Sequence, residues 1–130
     1  GYYGMLPEPM DLKGACGHVE ECLSLPKNYI RAVDGGKDSL VTVGYCTGAG
    51  GSYIIDAADR GCDLFITGDV KLHEAQYAKA RGMSVIDAGH YGTEKIFTEN
   101  MAHQIYSRAA QKGLTVDVIM AEANTNPYIL

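Results

Sequence analysis

His90 and Glu94 stand four positions apart in the stretch DAGHYGTEK, Asp87 to Lys95, in a chain of 130 residues that has four histidines. Residues at this spacing share one face of a helical turn, so a helix beginning around Tyr91 to Thr93 would aim imidazole and carboxylate at one place. Nitrogen and carboxylate oxygen together suit zinc, iron, manganese or nickel. An ion held there needs further donors. Asp87, at the end of the preceding run, could ligate it or orient the imidazole. A surface pair or a capped helix start uses the same residue types and is the plainer account of the spacing taken alone.

Two other short stretches hold chemistry-bearing residues. In TGDVKLH, residues 67–73, Asp69 and His73 are again four apart, with Glu74 following. Asp69 could cap a helix, and either residue could carry a proton. In CTGAGGS, residues 46–52, a glycine turn opens a helix, where amides at Gly50 and Gly51 could face a phosphate or carboxylate. The turn has neither a Gly-Lys-Ser/Thr ending nor GxGxxG spacing. Glycines there also let a strand and a helix approach closely.

The elements that would position these loops follow from periodicity. Leu12 to Leu25 carries apolar residues at helical spacing and closes at Pro26. YIRAV and LVTVGYC have the composition of strands, and the turn residues DGGKDS between them predict an antiparallel hairpin at a sheet edge. Strand, loop and helix then alternate. Helices are expected over residues 52–60, 71–81 and 93–112, each followed by an apolar strand, DLFIT, MSVID and TVDVIMA. NTNPYIL is expected to be a packed tail. The fold class is α/β: a mostly parallel sheet with helices on both faces, three layers in one domain over 1–130. Right-handed crossovers bring the three loops to the carboxyl edge of such a sheet, where ligands bind. His18 and His103 fall on helices away from that edge.

Composition narrows the function classes. Apolar residues are 46% and charged residues 21%, as in a globular protein. The formal charge of −5, with scattered basic residues, argues against nucleic acid as a partner. No apolar run reaches the roughly 18 residues of a membrane span. Cys16, Cys22, Cys46 and Cys62 lack CxxC spacing and are expected to be reduced, buried thiols of a cytoplasmic protein. The opening GYYGMLPEPM has no secretory pattern and no initiator, so a piece of something longer is expected.

DLFITGDVKLHEAQYAKARGMSVIDAGHYGTEK, preceded by TGAGGS, resembles the second half of the Nif-three-like family, dinuclear metal proteins often labelled GTP cyclohydrolase I type 2-like. The resemblance runs from about Val41 to Lys112, and GYYGMLPEPMDLKG is similar to the segment with which that half begins. It implies two similar α/β halves facing each other across a cleft, two divalent ions between them, and a ring-like homohexamer. His90 and Glu94 correspond to the ligands this half supplies, and His73 to a histidine lining the cleft. Asp87, Tyr91 and Thr93 would lie around the ions. The histidine pair and aspartate of the other half have no counterpart here, so the expectation is a C-terminal fragment with an incomplete site that needs an N-terminal half. Three functions follow as alternatives: a metal-dependent hydrolase, a metal-binding scaffold for protein partners, or a domain that takes a nucleotide or small phosphorylated ligand on the glycine turn.

Overall fold

The structure is a computed structural model that describes residues 1–128. The chain divides into two compact units, Gly1–Glu94 and the segment from Lys95 onward. The first contains one five-stranded sheet. Its strands are β1 (Tyr2–Met10), β2 (Arg31–Val33), β3 (Leu40–Ala49), β4 (Leu64–Gly68) and β5 (Ser84–Asp87), in the order β1-β3-β4-β5-β2. The central trio β3, β4 and β5 is parallel, and both edge strands run antiparallel to it.

Alternation along the central strands divides the core in two. Phe65 and Val85 point to one face, against Ile54 and Ala57 of α2 (Ile54–Asp59) and Ala78 of α3 (Leu72–Ala80). Leu64 and Ile86 point to the other, against Ala15 and Val19 of α1 (Leu12–Cys22). Helices therefore cover both faces, the three layers expected of apolar, helix-linked strands. The local sequence also fixes where helices stop. α2 ends in Arg60-Gly61-Cys62 and α3 in Arg81-Gly82-Met83, each glycine left-handed at φ +74 and +68. The amides of Cys62 and Met83 reach back to Ala57 and Ala78 carbonyls, while their side chains enter the core.

Several expectations are corrected. YIRAV and LVTVGYC do not form a hairpin: β2 pairs with β5 at the far edge, three strand positions from β3. That separation is about 14 Å at ordinary strand spacing, and six linking residues span up to about 20 Å. DGGKDS therefore passes across the amino ends of β5 and β4, held by Gly35 N donating to Ser84 Oγ and by Lys37 paired with Asp63. Tyr2–Met10, a segment to which the sequence reading gives no element, is a strand, its Pro7 and Pro9 accommodated because β1 is an edge whose pairing is irregular between Met5 and Met10. The expected long helix is two: α4 (His90–Glu94) and α5 (Phe97–Gln111). Finally, Cys22 is exposed, and only Cys62 among the four free thiols is buried.

The second unit holds α5, closed beyond Gln111 by the left-handed Gly113, with the Leu114 amide donating to the Ala109 carbonyl. TVDVIMA forms no strand among the described residues, because alternation makes a segment prone to pairing and only a neighbouring strand makes it a strand. From Asn124 to Tyr128 the tail is shaped by Asn124 and Asn126 side chains accepting from amides two residues on. The remainder of NTNPYIL lies outside the described residues. Among those residues no helix is long and apolar enough to cross a membrane.

Candidate metal centre

The loops after β3, β4 and β5 meet at the carboxyl edge of the parallel trio. α4 starts at His90, with Thr93 N donating to Gly89 O as its first helical bond. One turn later Glu94 returns to the same face, and His90 Nε2 lies 3.2 Å from Glu94 Oε2. Both side chains are about half exposed, at 48% and 52%, which leaves the pair open to further donors. Neighbouring donors around a tetrahedral ion with bonds of about 2.0 Å stand about 3.3 Å apart, so this spacing fits one shared ion.

The floor beneath the pair is Gly48, at φ +66. A β-carbon on residue 48 would lie 2.5 Å from Glu94 Oε1 and 3.2 Å from His90 Nε2. The Gly48 amide donates to the buried Thr93 Oγ1 at 2.8 Å, and that hydroxyl in turn faces the Gly89 and His90 carbonyls. Thr93 thereby bolts α4 onto the carboxyl end of β3.

Asp69 provides the other contact to the ring. Its Oδ2 is 2.8 Å from His90 Nδ1. The N-cap of α3 is Lys71, whose amide donates to Glu74 Oε2, so the capping role open to Asp69 is filled elsewhere. Its backbone is left-handed at φ +56, a conformation Asp tolerates better than most residues. The carboxylate expected to orient the imidazole, Asp87, is otherwise engaged: it is buried, paired with Arg31, and accepts from the Val70 and Gly89 amides. Asp87 shapes the two loops that carry Asp69 and His90. The His90 ring is pushed above the usual imidazole range, chiefly by its hydrogen bond to Asp69 and, against partial desolvation, by the Glu94 and Asp69 charges and the hydrogen bond to Glu94.

His73 is exposed in the first turn of α3, and Tyr91 is half-buried in α4. Packing accounts for both turn glycines. Gly50 donates to Gly48 O and Thr67 Oγ1, and a β-carbon there would stand 2.3 Å from that hydroxyl. Over Gly51 lies the Glu74 carboxylate, 2.2 Å from the place of a β-carbon, so negative charge already faces the turn. Among the described residues no group of three or more His, Cys, Asp or Glu side chains is arranged to hold a metal ion. The donor set of His90 and Glu94 fits part of a divalent site.

Residues 1–127 match the sequence model of the Duf34/NIF3 (NGG1p interacting factor 3) family. The chain belongs to the Duf34/NIF3 family. A Bacillus subtilis protein named GTP cyclohydrolase 1 type 2 homolog is 36% identical over 129 residues, which are 98% of this chain and 34% of that protein. A Campylobacter jejuni protein of the same name is 33% identical over 119 residues, 92% of this chain and 44% of the other. The solved structure of a Bacillus cereus protein related to NIF3 superposes with a TM-score of 0.87 at 30% identity, over 98% of this chain and 34% of that one. As a Duf34/NIF3 chain it spans about a third of the length of the Bacillus subtilis relative.

Sequence reasoning missed Asp69 as the partner of Nδ1 and Gly48 as the floor. An Asp directly after a strand-ending glycine hints at a left-handed turn, but nothing in the sequence says which distant ring such a carboxylate meets.

Proposed function

We propose that this chain is the C-terminal part of a dinuclear metal-binding protein, a cytoplasmic, homo-oligomeric metal-dependent hydrolase when whole. The carrying observation is the convergence of His90 Nε2 and Glu94 Oε2 at 3.2 Å over a residue with no side chain. Two donors seldom hold a divalent ion tightly, so the remaining ligands come from the part of the protein outside these residues. Bound divalent ions supply Lewis acidity and a water acidified toward neutral pH. His90 and Glu94 bind, Thr93 and Gly48 fix the helix turn that presents them, and His73 is the candidate proton carrier at the exposed rim. Zinc, iron, manganese and nickel all suit this donor pair.

Metal analysis and turnover test the proposal together. In the full-length protein, His90→Ala and Glu94→Ala should each lower metal content and abolish hydrolysis of whichever nucleotide or phosphoester substrate a panel reveals. The 130-residue chain should bind divalent ions only weakly. Tight, stoichiometric uptake of two ions by that chain alone would refute the shared site. A second reading, a scaffold for protein partners, draws on the interaction named in the family's description. Partner binding that survives in metal-free variants, with no turnover by the loaded wild type, would favour it.

A further inference from the structure

We infer that Asp69 is a positioning residue: by accepting from Nδ1 it selects the His90 tautomer whose free lone pair, on Nε2, faces Glu94 and the metal position. This rests on the proposed metal role of His90 and adds how the ring is prepared for it. One contact distance and the chemistry of a neutral imidazole lead there. The Asp69 contact is the shorter of the two carboxylate contacts to the ring, 2.8 Å against 3.2 Å. A neutral imidazole carries one N–H, and which nitrogen bears it is set by the hydrogen bond it makes. Placed on Nδ1, that proton is shared with Asp69, and Nε2 is left as a donor beside a carboxylate oxygen, an arrangement that suits a cation between them.

The backbone shows how the carboxylate gets there. Asp69 follows Gly68 at the end of β4 and turns left-handed, at φ +56, before α3 begins at Leu72. That turn sends its side chain sideways to the neighbouring loop, toward a ring 21 positions later in sequence. The buried Asp87 ties the same two loops together through the Val70 and Gly89 amides, one residue beyond Asp69 and one before His90. Asp69 and the ring are thus held at fixed separation from below, and both remain half exposed to receive what completes the site.

The experiment is long-range ¹H–¹⁵N spectroscopy of the imidazoles in the metal-free 130-residue chain at about pH 9, above the ordinary imidazole range, with His90→Gln assigning the signals. Wild type should show the Nδ1–H tautomer. Asp69→Gly, which keeps the left-handed backbone without strain and removes the carboxylate, should shift His90 toward Nε2–H. Asp69→Asn, whose amide oxygen can still accept, should restore Nδ1–H. Co²⁺ titration followed by broadening of the His90 signals should show affinity about 10–100-fold weaker in Asp69→Gly, with partial recovery in Asp69→Asn. An Nε2–H ring in wild type, or ring signals unchanged in Asp69→Gly, would overturn the positioning role. If that happens while His90→Ala still loses metal, the metal reading stands without it. A tautomer that does depend on Asp69, with metal uptake indifferent to His90, supports the positioning contact and removes the metal reading instead.

Discussion

Glu94 Oε1 occupies the space that a side chain on residue 48 would need, 2.5 Å from the place of its β-carbon, so the carboxylate rests on bare backbone. Gly48→Ala is therefore expected to displace Glu94 and His90 while leaving the sheet in place. The left-handed φ of +66 adds a cost of about 1–2 kcal/mol for alanine. Denaturant unfolding should show that loss, and divalent-metal titration of the full-length variant should show reduced occupancy.

Thr93 is the bolt between α4 and the carboxyl end of β3. Thr93→Val keeps the shape but leaves the Gly48 amide without its acceptor in a buried place. A destabilisation of about 1–3 kcal/mol is expected, together with faster amide exchange at Gly48. Unchanged exchange there would show that another acceptor takes over.

Asp63 sits at the opposite end of the parallel trio and joins three segments. Its carboxylate accepts from the Val41 and Thr42 amides and pairs with Lys37, while its own amide and carbonyl bond to Thr42 and Ser84. Burial pushes its carboxyl up, but the Lys37 contact and the two amides outweigh that and hold it below the ordinary carboxylate range. A depressed folded value means the stabilisation is complete above the unfolded value of about 3.9 and is lost as pH falls through the folded one. Asp63→Asn should thus be less stable at neutral pH and should lose part of the acid slope in stability measured from pH 6 down to about 2.

Thiol labelling should separate the four cysteines. Cys22 is exposed near the end of α1 and should react first with an alkylating reagent. Cys62 is 3% exposed, and burial followed by the neighbouring Asp63 charge pushes its thiol up, so it should react last and only on opening of the fold. Equal rates at both would show that α2 and the start of β4 open readily.

Core truncation should be costly at the centre of the sheet. Ile86 is fully buried between α1 and the parallel strands. Ile86→Ala is expected to lose about 2–5 kcal/mol in equilibrium unfolding, more than truncation of the exposed Ile55 in α2.

Much of this was legible in the chain itself because the signals are local. Apolar runs such as DLFIT and MSVID, alternating with helices closed by Arg-Gly-Cys and Arg-Gly-Met, determine the parallel trio, its two covered faces and the edge at which the loops gather. The spacing of His90 and Glu94 determines that the two share a helical face. The partners of strands and of polar side chains are not local. β2 crosses to the far edge because pairing with β5 is a long-range choice that turn residues do not encode, and the edge strand β1 is hidden by its prolines. Only the folded chain decides that the carboxylate on His90 belongs to Asp69, that Asp87 is held by Arg31 and two amides, and that Gly48 makes room for Glu94. Each of these depends on how adjacent strand ends stand in space, a distance the sequence does not contain.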